Sequence, residues 1–246
     1  TVSALAGLGS AQMAALTGAQ ASALSTAQLA ALTTAQAAAL DTADLGAFGS
    51  AALRALSPSA IAGLTTAQIQ SLSGTQFAAL TSAQIGALTT TQMAALETAD
   101  LAAFTTAQLR VLGAPQLDAL GSAQFAALTN SQVLALTSTQ VSGLASADLN
   151  ALTSTQFALM TSAQIGALSA GRMATLETAD LAALGSAALR AIPAASIPSL
   201  TSAEIQALST AQAAALTTAQ VGALLSAQIA ALETADLAAL STAQVR

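Results

Sequence analysis

A chain of 246 residues with five Arg, eleven acidic side chains, a net charge of -6 and no Lys, His, Cys, Trp or Tyr lacks an imidazole base, a thiolate nucleophile and the usual ligand sets for zinc or haem. Five scattered Arg build no basic face for phosphates, so no nucleic-acid partner is expected, and neither a cofactor nor enzymatic activity is expected. Apolar residues make up 54% and mean hydropathy is +0.67, yet Ser, Thr or Gln interrupts every window of about 20 residues, so no membrane span is expected.

Thr1 opens in mid-pattern, with no charged region leading into an apolar stretch, so no signal peptide is expected and the sequence reads as a portion of a longer periodic protein. Leu then recurs at 8, 16, 24, 32 and 40, and the eight-residue period continues without insertion to Leu240. Only Phe48, Phe104, Met160 and Ile192 replace Leu, so the chain is thirty octads and a remainder of six residues. The unit is [Ser/Thr]-[Ser/Thr]-Ala-Gln-apolar-Ala-Ala-Leu, as in Thr81-Ser82-Ala83-Gln84-Ile85-Gly86-Ala87-Leu88.

One long helix does not fit this period. At about 100° per residue an octad advances the apolar positions by roughly 80° beyond full turns, which smears them around the cylinder. A strand does not fit either, because positions five and eight are three apart and not two. The chemistry points to a helix start in every octad. Position one is Ser or Thr in nineteen units and Gly or Asp in six more; position four is Gln in nineteen, Asp in five and Glu in one. Ser/Thr-x-x-Gln/Glu is a capping box, and the preceding Leu with the apolar residue at position five makes a hydrophobic staple.

Along the chain, Pro58 and Pro115 fall at positions two and three, inside a first helical turn that tolerates Pro. Pro193 and Pro198 share one octad, so an irregular unit is expected at 193–200. All five Phe fall at positions five or eight and read as core. Helices this short are marginal alone and must stack on neighbours. The expected fold class is therefore all-α: a single-domain α-solenoid, or superhelix, of about thirty 8-residue short-helix repeats running continuously over 1–246, with positions five and eight inside.

A longer period carries the charges. Asp44, Asp100, Asp180 and Asp236 occupy position four, each three residues after Asp41, Glu97, Glu177 or Glu233 and ten before Arg54, Arg110, Arg190 or Arg246. The copies are 56 residues apart within a pair and 136 apart between pairs, which marks a tandem duplication. Two readings compete for them. Paired carboxylates could supply calcium ligands, but two fall far short of the six to eight oxygens calcium takes. The preferred reading is structural charge pairing, Asp with the following Arg, with acids complementing helix N-termini. Asp148 lacks its Arg and Arg172 stands in the place of a Gln, so neither belongs to the set.

Through units such as Leu64-Thr65-Thr66-Ala67-Gln68-Ile69 and Leu216-Thr217-Thr218-Ala219-Gln220-Val221, the whole chain resembles the very long Thr-Ala-Gln repeat proteins of bacterial cell surfaces, often called haem-utilisation or haemagglutinin-like. The resemblance implies an extracellular or surface-associated fibrous protein. The haem label gains nothing from these residues, since the only ordinary axial ligands are four core Met. The expected function is a structural filament, sheath or adhesive stalk built from copies of itself. The alternative is a repetitive binding module in which Ser and Thr rows hold ice, a polysaccharide or another ordered surface.

Overall fold

The computed structural model describes residues 1–246 as all-helical, with one short helix per octad and no strand. Numbering octads along the chain, octad 1 being residues 1–8, the helices run from Val2–Ala6 in octad 1 to Thr234–Ala239 in octad 30. Each is four to six residues long, as in Ser82–Gly86 and Gly74–Ala79.

The octad divides into a helix and a two-residue link. In octad 10 the N-cap Ser73 has φ -79 and ψ 159, Gly74–Ala79 is helical, and Leu80 returns to φ -60 and ψ 146. Positions eight and one are thus two successive residues near polyproline II geometry, which turns the chain without a left-handed residue. No residue has positive φ, glycines included. That is why the link can be Leu-Thr or Leu-Ser in unit after unit. Pro58 and Pro115 sit in the first turns of Pro58–Gly63 and Ala114–Asp118. Octad 25 departs from the rest: Ala194–Ser199 is a 3-10 helix, since Pro198 has no N–H to give the carbonyl four residues back.

The residues gather into two compact units, Thr1–Leu128 and Thr129–Arg246, and the repeat passes the boundary without a break in sequence. Within each, an octad lies against the third and fourth octads before it. In the first unit Pro58–Gly63 packs on Thr34–Ala38, three octads back, with Gly63 directly over Thr34. In the second, Thr178–Ala183 packs on Ser154–Leu159 and Thr234–Ala239 on Thr210–Ala215, again three back. Side-chain hydrogen bonds reach the fourth octad back, at separations of 28 and 31 residues. A turn of the solenoid therefore takes about 3.5 octads.

Positions five and eight form the core. Leu45, Leu53, Ile61, Ile69, Phe77 and Ile85 are wholly buried, and the Leu residues at position eight from Leu32 to Leu232 are nearly so. Phe77 and Phe104, three octads apart, bring their rings to 5.6 Å. A third row lies inside as well. The position-four residue is buried in most octads, whether Gln, Asp or Glu, and it is polar.

Candidate functional site

The buried polar row is a ladder. In octad 11, Gln84 Oε1 accepts from the Thr81 amide at 2.8 Å and from the Thr81 hydroxyl at 3.1 Å, while the Gln84 amide donates to Thr81 Oγ1 at 3.2 Å. That is the capping box. The other half of the side chain leaves the octad: Gln84 Nε2 donates to the carbonyls of Leu53 at 2.7 Å and Leu56 at 2.8 Å. Both polar atoms of the buried Gln84 side chain are thereby satisfied, as burial requires.

The same pair of carbonyls, positions five and eight of the fourth octad back, receives Gln36, Gln68, Gln92, Gln108, Gln164, Gln220 and Gln228. Each Gln joins the first amides of one helix to the last carbonyls of another. Those carbonyls sit at a helix C-terminus, where partial negative charge collects, so the slot between them calls for a donor. Arg172 shows how general the demand is. Standing where a Gln would, it places Nε on the Leu144 carbonyl and Nη2 on that of Gly143 at 3.1 Å.

Carboxylates occupy position four in six octads and cannot donate when ionised. Glu204 keeps the capping half, with Oε2 accepting from the Thr201 amide at 2.6 Å and hydroxyl at 2.8 Å, but its Oε1 is buried without a partner. Asp44, Asp180 and Asp236, 4%, 2% and 2% exposed, each hold Oδ2 buried and unpartnered. Burial raises the Asp44 carboxyl above its ordinary value, and Asp41 adds to the rise. For Asp100, burial and Glu97 raise it while the Glu97 amide hydrogen bond lowers it. For Asp180, burial raises it, the Ser154 hydroxyl at 2.8 Å opposes that, and Glu177 adds to the rise.

Arg54, Arg110, Arg190 and Arg246 are exposed, each in the octad after its Asp. One octad is roughly a 100° step about the axis when a turn takes about 3.5. The 56-residue spacing acquires a meaning from the same geometry: seven octads are about two turns, so Asp44 and Asp100 face one side of the first compact unit, and Asp180 and Asp236 one side of the second. No three acidic, His or Cys side chains converge at one point. No helix is long and apolar enough to cross a membrane.

The fold and its buried ladder define the class, an α-solenoid repeat protein whose short helices are capped and cross-linked by one position. The ALTTAQ repeat matches residues 37–74, 61–90, 70–98, 93–130, 173–210, 197–232 and 229–246, more than half of the sequence, and the chain belongs to that repeat family. No curated protein matches it. In structural terms Ala-Leu-Thr-Thr-Ala-Gln is the end of one helix, the link, and the capped start of the next.

Proposed function

We propose that the chain is a non-enzymatic structural repeat protein of the cell exterior, assembling with further copies into a filament, sheath or adhesive stalk. The observation that carries this reading is the sameness of the surface. With positions four, five and eight turned inward, what remains outside is a nearly uncharged row of Ser, Thr, Ala and Gly repeated every eight residues. Such a surface has little charge repulsion to hold copies apart, and its small side chains allow close approach.

The surface chemistry weighs against the binding-module alternative. Hydroxyls at position one are engaged in caps, as at Thr65, Thr81 and Thr105, which removes half of the row that an ordered ligand would read. Exterior location is supported by the resemblance to surface-associated repeat proteins and by the scarcity of Arg and absence of Lys, which leave trypsin-like proteases few sites.

Electron microscopy of the purified chain over a range of concentrations tests the proposal. Fibres or lateral bundles are expected. Dispersed single chains at the highest concentration would overturn it.

A further inference from the structure

We propose that the four octads reading Asp/Glu-Thr-Ala-Asp are binding slots for a small hard divalent cation of the calcium type, held between a pair of carboxylates and the main-chain carbonyls of the fourth octad back. The sequence offers only two carboxylates per slot. The fold supplies the missing oxygens.

Octad 23 shows the set most fully. Asp180 is 2% exposed, its Oδ2 has no partner, and its Oδ1 receives the Ser154 hydroxyl at 2.8 Å. The register kept by the neighbouring glutamines directs a position-four side chain at positions five and eight of the fourth octad back, here the carbonyls of Leu149 and Leu152. Asp is one methylene shorter than Gln, so its carboxylate stops short of the carbonyls that an amide nitrogen reaches elsewhere. In octad 6 the same register assigns to Asp44, whose Oδ2 is also unpartnered, the carbonyls of Met13 and Leu16; Asp236 Oδ2 is unpartnered as well, and Asp100 joins the set by its matching octad.

Two further observations point to a cation. At octad 22 the equivalent slot already holds positive charge, the guanidinium of Arg172. The second is the acid at position one. Glu97, Glu177 and Glu233 make no side-chain cap hydrogen bond, unlike the Thr and Ser they replace, whereas Asp41 accepts from the Ala43 amide at 3.3 Å; Asp41, Glu97 and Glu177 each stand close enough to the position-four carboxylate to repel it. Each acid alone complements a helix N-terminus, but the repulsion between the two works against the pair, and the octads with a lone position-four acid, at Asp148 and Glu204, omit the second one. Two carboxylates balance a divalent ion. The position-one acids are exposed, so they bring water to their side of the ion toward the six to eight oxygens calcium takes, while the position-four oxygens face the interior.

The test uses the full chain in sodium chloride buffer at pH 7, titrated with calcium chloride in a calorimeter and melted by circular dichroism in calcium and in EDTA. The expected result is saturable binding at about four ions per chain and a melting temperature higher by about 5 °C or more in calcium. The double variant Asp41→Thr with Asp44→Gln restores the common octad; it is expected to melt higher than the parent in EDTA and to bind one ion fewer. Equal melting in calcium and EDTA with no heat of binding would overturn the proposal. So would an unchanged number of ions in that variant, or a melting temperature that follows pH and ignores calcium. None of these readings depends on whether chains assemble.

Discussion

The side-chain nitrogen of Gln84 lies 2.7 Å from the carbonyl oxygen of Leu53, thirty-one residues earlier, and that bond fastens one turn of the solenoid to the next. A short helix needs neighbours, and this residue both starts its own helix and ties it to another.

Replacing Gln84 by Met keeps the volume and removes the side-chain half of the capping box and the cross-turn bonds, while the backbone bond to Thr81 Oγ1 stays. It leaves the carbonyl of Leu56 and the amide of Thr81 without their partner. A loss of about 3 kcal/mol is expected in urea denaturation, since each buried group left unpaired costs about 1–3 kcal/mol. The same change at exposed Gln12 is expected to cost less than half as much.

Gly63 has no room for a side chain. A Cβ there would stand 2.8 Å from Thr34 Cβ and 2.9 Å from its Cα, so backbone would have to move. Gly63→Ala is expected to destabilise by about 1–3 kcal/mol despite the better helix propensity of Ala. Gly143→Ala, with nothing within 4 Å of the new atom, is expected to be neutral or stabilising by thermal melting.

Gly18 faces Asp44 where Ser154 faces Asp180. A Cβ at Gly18 would lie 3.3 Å from Asp44 Oδ1, close enough for a serine hydroxyl to turn onto the carboxylate. Gly18→Ser is expected to stabilise by about 1 kcal/mol and to lower the Asp44 pKa, read by carboxyl-carbon NMR. Gly18→Ala, which has the helix propensity without the hydroxyl, should leave that pKa in place.

In metal-free buffer the raised carboxyls of Asp44, Asp100 and Asp180 make stability depend on pH in a definite direction. Their folded-state pKa values lie above the unfolded value of 3.8. The folded state therefore holds more protons than the unfolded state between the two values, and the stabilisation is complete below pH 3.8 and lost as pH rises through the folded-state values. Urea midpoints are expected to fall on going from pH 3.5 to 7, and the slope to shrink in the Asp44→Asn, Asp100→Asn, Asp180→Asn triple variant.

Much of this was legible in the sequence because it is local. Caps at Thr81 and Gln84, a link at Leu80 and Thr81, and burial at positions five and eight all follow from residues within one octad. The second half of Gln84 was not legible. Which carbonyl lies beside its Nε2 depends on how far each two-residue link turns the chain, and a small change in ψ at Leu80 would alter the number of octads per turn. The same register explains why Asp44 and Asp180 enter the interior with their glutamine counterparts, whereas Arg54 and Arg190, at position six, remain outside. Arg172 is the instructive case. From sequence it was an exception at position four, and in the fold it too donates to the fourth octad back, to Leu144 at position eight as the glutamines do and to Gly143 at position seven.

The cross-turn ladder can be observed directly by NMR of a chain labelled at the glutamine side-chain amide, with hydrogen exchange measured residue by residue. The Nε2 protons of Gln84, Gln92, Gln108 and Gln164 are expected to exchange many times more slowly than those of exposed Gln12, whose amide serves only its own octad. If all of these side chains exchange alike, at the rate of a free amide, the turns are not joined through position four and the account is wrong.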